Sequence, residues 1–314
     1  MARRIILDTD PGIDDAVAIM LALTAPEELE VLGIVAVAGN LPLSQTERNA
    51  RRVCEFAGRP EIAVYAGCAR PLARPLATTA TVIHGDTLGK MLNVTEPTAS
   101  LQTQHGVDFI IEAVRAVEPG SITLCAIGPL TDIAMALVKA PDISALIGEI
   151  VILGGAAFEI GNITPAAEFN MHVDPHAAAV VLGSGVPITM IPLDVTHQVL
   201  STPPRLSALR ALPNRCGPAV AALLDQFEES RTGRFGARGM ALHDPCAIAF
   251  MLQPDLFRGR KVNVAVETAS PLTIGMTVVD WWGVTGRPAN ANFMTEVDAP
   301  RLYELLTEKL ARLP

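Results

Sequence analysis

Short apolar runs that end at turn-forming residues recur along this 314-residue chain, and most lead into a stretch of helical character. That alternation constrains the fold more than any other feature. A strand followed by a helix is returned to the sheet by a crossover, so the next strand runs parallel to it. Strands are expected from Ile5 and at 31–38, 62–65, 122–127, 150–153 and 187–192. Helices are expected at 16–23, from the capping-box spelling Ser44-Gln45-Thr46-Glu47 to Gly58, at 107–117, after Gly128-Pro129-Leu130-Thr131-Asp132, from Asp174-Pro175 to Leu182, at 216–229, and from His243-Asp244-Pro245 to Leu252. The tail offers strands at 262–266 and 273–279 and a last helix from about Pro300. Residues 66–83 and 231–242 read as loops. No linker or repeat divides the chain. The expectation is therefore an α/β fold over 1–314, a single-domain open, mostly parallel sheet with helices on both faces.

Composition agrees. At 50% hydrophobic and 18% charged, the chain can bury a large core. The formal net charge of −9, without a basic stripe, argues against a nucleic-acid polymer as partner. No apolar run reaches membrane-spanning length. Asp8 and Asp10 interrupt the only run that resembles a signal peptide, so none is expected and a cytoplasmic location is. Five cysteines, widely spaced and without a CxxC pair, read as reduced, buried thiols.

The chemistry concentrates at Leu7-Asp8-Thr9-Asp10-Pro11-Gly12-Ile13-Asp14-Asp15, where four carboxylates fall between an apolar strand and an apolar helix. Two like charges about 4 Å apart repel by roughly 4 kcal/mol at an effective dielectric of about 20. The helix dipole returns only about 0.3–1 kcal/mol. Raised pKa values or a bound cation must neutralise the cluster. Hard oxygen donors suit calcium or magnesium rather than zinc. A turn of solvated acids is the bland alternative, and the apolar flanks argue against it. Asp10 and Asp15 can hold the cation from either side of the turn. Asp244, or a strand-end carbonyl such as that of Ile127, can add ligands, although Asp244 before Pro245 is equally a plain N-cap.

Ligands of parallel sheets bind beyond the carboxyl ends of the strands, where Asp10, Asn40, Ile127-Gly128 and Gly154-Gly155 should meet. His243 is a candidate general acid, and His84, in a Gly-flanked loop, is at least as strong a candidate for a role in the site; each is also a candidate structural histidine. His105, His172, His176 and His197 read as structural or surface residues. Asn162, Glu168 and Asn170 lie in one loop whose amides and carboxylate suit a polyhydroxyl ligand, or form an ordinary polar loop.

These motifs resemble the inosine-uridine preferring nucleoside hydrolases: Asp8-Thr9-Asp10-Pro11-Gly12-Ile13-Asp14-Asp15-Ala16, Ala38-Gly39-Asn40, His84-Gly85-Asp86, Ile127-Gly128-Pro129-Leu130-Thr131, Leu153-Gly154-Gly155, Glu168-Phe169-Asn170 and His243-Asp244-Pro245. The resemblance implies calcium held by Asp10, Asp15, the Ile127 carbonyl and Asp244. It implies Asp10 as the base toward the attacking water and His243 as the acid toward the departing base. Asp14, Asn162, Glu168, Asn170 and Asp244 would then grip the ribose hydroxyls with Asn40 lining that site, Phe169 would contact the substrate, and His84 would line the base pocket. The implied reaction is calcium-dependent hydrolysis of a ribonucleoside to ribose and free base, in nucleoside salvage, by a homodimer or homotetramer.

Departures bear on base choice. The segment before His243 carries Phe227, Phe235, Arg231, Arg234 and Arg238 but no tyrosine, Thr87 stands where many members have glycine, and His176 where many have glutamate. The pair His84 and His243 leans toward pyrimidines. Trp281-Trp282 are expected in the core or an interface rather than on a base. Two rivals remain. One is a magnesium-dependent haloacid-dehalogenase-type phosphatase, which matches Asp8-Thr9-Asp10 but lacks a convincing phosphate lysine. The other is a calcium-dependent nucleoside-binding protein without turnover.

Overall fold

The computed structural model describes residues 2–78, 87–230 and 239–314. Its strands are Arg3–Thr9 (β1), Leu29–Ala36 (β2), Val64–Ala66 (β3), Ile122–Ala126 (β4), Glu149–Leu153 (β5), Ile188–Ile191 (β6), Leu200–Ser201 (β7), Met240–Ala241 (β8), Phe257–Val266 (β9), Thr277–Asp280 (β10) and Ala291–Val297 (β11). Its α-helices are Ile13–Ala22 (α1), Leu43–Phe56 (α2), Thr87–Leu92 (α3), Gly106–Arg115 (α4), Thr131–Lys139 (α5), Phe169–Val173 (α6), Pro175–Leu182 (α7), Leu193–Thr196 (α8), Pro203–Arg210 (α9), Cys216–Ser230 (α10), Pro245–Leu252 (α11) and Ala299–Leu310 (α12).

Nine strands form one sheet in the order β10-β9-β11-β6-β5-β4-β1-β2-β3. From β3 to β11 every pairing is parallel; β9 and β10 add an antiparallel edge. The expected single-domain, mostly parallel α/β architecture is therefore the one observed. From β1 the chain builds outward through β2 and β3, then returns beside β1 with β4 and builds the other way. The β1–β4 pair, in register from Arg4 opposite Ile122 to Asp8 opposite Ala126, is thus where the winding reverses. A crevice opens at the carboxyl ends of two such strands because their crossovers leave on opposite sides.

Apolar side chains fill both faces of the sheet. One core gathers Ile5 and Leu7 with residues of α1, α2, α10, α11 and α12; the other gathers Ile6 with α4, α5 and α7. Successive residues of β1 feed opposite cores, as strand geometry demands. Helix α1 is buried along nearly its whole length and packs against α11, itself buried except at its end. Each buried Ile, Leu or Val contributes about 1.5–3 kcal/mol. The ends of α1 and α11 are therefore held as rigidly as the sheet.

Four local expectations change. Ser44 does not cap α2, because Pro42, with φ fixed near −58°, already starts the helix at Leu43. Glu47 does not reach back to a cap either; it binds Arg51 one turn on, at 2.5 Å. Strand β10 begins at Thr277 rather than 273, after the turn closed by the Met276 N–H on the Thr273 carbonyl. The 291–297 segment, not read as a strand, inserts as β11 between β6 and β9. The expected loop at 231–242 contains β8 within its described part. The five cysteines are all free, four of them buried. No described helix is long and apolar enough to cross a membrane.

Candidate active site

The turn after β1 is fixed from below. Asp15 sits in the first turn of α1, and its carboxylate accepts from Thr9 Oγ1 (2.6 Å), Gly12 N (2.9 Å), Asp10 N (3.2 Å) and Asn40 Nδ2 (3.2 Å). Asn49 of α2 donates its amide to the Pro11 carbonyl at 2.9 Å, and buried Arg52 holds the Asn49 side-chain oxygen at 3.1 Å. The turn is thus pinned by α1, by α2 and by the end of β2.

Asp10 is walled in by glycines. Its Oδ2 accepts from the Asn40 N–H at 2.6 Å. A Cβ on Gly39 would lie 2.1 Å from Asp10 Oδ2, and one on Gly128 would lie 2.8 Å from Oδ1. The backbone at the ends of β2 and β4 must come this close for Asp10 to occupy the switch point. Burial first, then the charges of Asp15 and Asp14, push the Asp10 carboxyl well above the usual carboxylate range.

Asp244 arrives from the other end of the chain. It precedes α11 but makes no capping bond there, so the N-cap reading does not hold. Its carboxyl instead faces the first turn of α1 and is hydrogen-bonded to Asp15. Burial, reinforced by Asp14, Asp15 and Asp10 in that order, raises its pKa strongly. Oxygen atoms of Asp14, Asp15 and Asp244 lie within 4.8 Å of one another. The family resemblance implies Asp14 on the sugar; here it stands with Asp15 and Asp244, while Asp10 lies beside them, close enough to help raise the Asp244 pKa. Such crowding of desolvated acids, all hard oxygen donors, fits a divalent cation.

The polar loop closes the next side. Glu168 caps α6, accepting from Asn170 N (3.0 Å), Met171 N (3.1 Å) and Gly155 N (3.2 Å). Burial outweighs those donors and pushes its carboxyl up to about 7. Asn170 donates its amide to the Ile127 carbonyl at 2.9 Å and the Leu153 carbonyl at 3.2 Å, so one side chain ties the ends of β4 and β5. Its Oδ1 is buried and has no partner among the described residues, an acceptor open to a group that carries a hydroxyl or amino hydrogen. Asn162 accepts from the Phe169 N–H at 2.8 Å, which fixes the loop that carries Glu168 and half-buried Phe169.

His243 is buried, with Nδ1 2.8 Å from Thr196 Oγ1. Among the other histidines, His105 caps α4, His172 contacts the Ile274 carbonyl and His197 pairs with Glu159, so these three serve structure as expected. Trp281 packs against the core beside β9, whereas Trp282 is exposed. His84 and residues Arg231, Arg234, Phe235 and Arg238 lie outside the described residues, as does the side chain of Phe227. Thr9, Asn49 and Arg52 were missed: each supports the turn through another group, Asp15, the Pro11 carbonyl and Asn49 in turn, and no pattern in the sequence marks such support.

Comparison with known proteins identifies the family. The family model for inosine-uridine preferring nucleoside hydrolase matches residues 5–304. An uncharacterised protein of Schizosaccharomyces pombe is 51% identical over 99% of this chain and 100% of its own length. A pyrimidine-specific ribonucleoside hydrolase, RihA, of Shewanella sp. (strain MR-7) is 43% identical over 99% of this chain and 97% of its own. Among solved structures, the purine-preferring ribonucleoside hydrolase from Gardnerella vaginalis superposes with a TM-score of 0.90 at 33% identity, covering 98% of both chains.

Fold and neighbours together define a class, the N-ribosyl hydrolases that act on ribonucleosides. Within it, this chain belongs to the inosine-uridine preferring nucleoside hydrolase family. Membership sets aside the phosphatase and the turnover-free binder.

Proposed function

We propose that this enzyme, as one unit over 1–314, hydrolyses ribonucleosides to ribose and free base with calcium as its cation. Asp10, Asp15, Asp244 and the Ile127 carbonyl are its ligands. The observation that carries the reading is the convergence of Asp14, Asp15 and Asp244 oxygens within 4.8 Å beside buried Asp10 at the sheet's switch point. When bound, the cation would offset the carboxylate repulsion, polarise a water and order the sugar diol.

The chain's own residues divide the rest. Asp10 takes a proton from the attacking water as its oxygen bonds to C1′. The bond from C1′ to the base nitrogen breaks, its electron pair goes to that nitrogen, and His243 supplies the proton. Asp14, Asn162, Glu168, Asn170 and Asp244 grip the ribose hydroxyls, with Asn40 lining that site, Phe169 contacting the substrate and the buried Asn170 Oδ1 available to a hydroxyl. The family resemblance assigns the base pocket to His84. Binding both reactants in preset geometry removes most of the entropic barrier.

Pyrimidine ribonucleosides are the preferred substrates: the RihA relative, pyrimidine-specific by name, shares 43% identity, against 33% for the purine-preferring structure. The free thiols support a cytoplasmic enzyme of nucleoside salvage. A homodimer or homotetramer is supported by exposed apolar side chains. Phe158, Ile160, Ile163, Leu272, Met276, Val278, Trp282 and Val284 fall in two segments joined by the edge contact of Phe158 on Trp281. The open edge of β10 can pair with its copy about a twofold axis.

Release of reducing sugar from uridine, cytidine, inosine and guanosine tests the reading, with protein treated with EGTA and then given back calcium or magnesium. Calcium should restore turnover, uridine and cytidine should lead, and Asp10→Ala should lose at least about a thousandfold in kcat while staying folded. Full activity in EGTA, or unchanged turnover of Asp10→Ala, refutes the assignment.

A further inference from the structure

One helical turn joins the loop after β5 to His243. Helix α8 follows β6, and Asp194 in it accepts from the N–H groups of Ala157 (2.8 Å), Phe158 (2.7 Å) and Glu159 (3.3 Å). His197, just after it, holds the Glu159 carboxylate at 2.9 Å and packs edge-on against the His243 ring, 6.0 Å between centroids. Between them Thr196, 1% exposed, places its hydroxyl 2.8 Å from His243 Nδ1. Packing alone needs no hydroxyl there, because valine would fill the same buried space.

We propose that Thr196 is a positioning residue for protonation of the departing base. This rests on the assignment of His243 as the acid. On the assignment of His243 as the acid, the contact of Nδ1 with Thr196 gives Nε2 the role of passing the proton to the base. A hydroxyl suits this task because it both donates and accepts. Toward a charged imidazolium, Oγ1 accepts from Nδ1–H. As the bond from C1′ to the base breaks, the Nε2 proton goes to the base nitrogen, while the Nδ1 proton stays and keeps its bond to Thr196. Toward the neutral ring protonated on Nε2, the hydroxyl turns and donates to Nδ1. The hydroxyl therefore holds one ring orientation in the imidazolium and in either neutral tautomer, whereas a carbonyl could hold only the forms with a proton on Nδ1 and an N–H only the form without one.

The test compares Thr196→Val, Thr196→Ser, His243→Ala and Thr196→Val/His243→Ala on uridine and on p-nitrophenyl riboside, whose leaving group needs no proton. Misplacing a catalytic group by about 1 Å can cost about a hundredfold. Thr196→Val should thus lower kcat on uridine by about 10- to 100-fold with KM within about threefold, and alter p-nitrophenyl riboside by less than about threefold. Thr196→Ser should recover most of the loss. In the His243→Ala background, Thr196→Val should cost no more than about threefold, since the two act as a unit. Equal slowing of both substrates, no loss on uridine, or a full further loss in the double variant overturns the proposal. If Thr196→Val does not fold, Thr196→Ser decides: kcat kept near wild type supports the role, and loss of the uridine rate refutes it. If His243→Ala slows both substrates equally, the acid assignment itself falls, and that result is separable from a failure of Thr196 alone.

Discussion

Glu168 shows how one residue can carry two demands. Three backbone N–H groups favour its charge, yet desolvation wins and lifts its pKa from 4.5 to about 7. The folded protein therefore keeps a proton that the unfolded chain gives up. The resulting stabilisation is complete below about pH 4.5 and is lost as pH climbs to about 7, a swing of up to about 3 kcal/mol. Glu168→Gln cannot titrate. Urea denaturation at pH 5 and pH 7.5 should show a smaller loss of stability between the two for the variant than for the wild type. Parallel losses would mean that Glu168 is charged throughout. Reading such roles from sequence succeeds unevenly. Asp10, Asp14 and Asp15 stand out because four acids between apolar runs are costly anywhere. Asp244 stands out only half as well, because before Pro245 it is equally spelled as an N-cap, and only the tertiary contact of α11 with α1 turns its carboxyl toward Asp15. Thr196 gives no signal at all, since a threonine after an apolar strand is ordinary.

At the level of elements, strands buried on both faces were legible because a continuous apolar run between turn residues has few other uses. Strand β11 was not: Ala291–Val297 mixes Asn292, Thr295 and Glu296 with its buried residues, and its place between β6 and β9 is set by partners far away in the chain. Strand ends matter more to function than strand middles. Gly39 and Gly128 close the ends of β2 and β4 around Asp10, so Gly39→Ala places a methyl 2.1 Å from the Asp10 carboxylate unless that carboxylate moves. The backbone hydrogen bond from Gly39 N to the Leu41 carbonyl (3.1 Å) and the tightly held turn leave the backbone little room to yield. Asp10 should be displaced. We expect kcat to fall at least about a hundredfold, with a thermal midpoint lowered by only a few degrees, as for a local clash rather than a lost core contact. Turnover near wild type would show that the carboxylate can shift without consequence.

For the whole molecule, the strands and helices deliver buried acids from both ends of the chain to one point, and that arrangement links folding to cation binding. Asp10 and Asp244 both have pKa values raised chiefly by burial. Without a cation, the folded state must therefore keep these groups protonated, and it loses stability as pH rises above the ordinary carboxylate range. A cation replaces those protons, so its binding releases them and tightens as pH rises. The two effects add. The stability gap between calcium-loaded and EGTA-treated protein should be small at pH 5 and wide at pH 8. At a free calcium concentration about a hundredfold above Kd, the gap reaches roughly 2.7 kcal/mol. For a chain of this size that corresponds to an upward shift of several degrees in the thermal midpoint. Scanning calorimetry at the two pH values, with the ion present and absent, measures the gap. An equal shift at both would mean that the cation does not compete with protons on these carboxyls, and the cluster would then need another explanation for its stability in the folded protein.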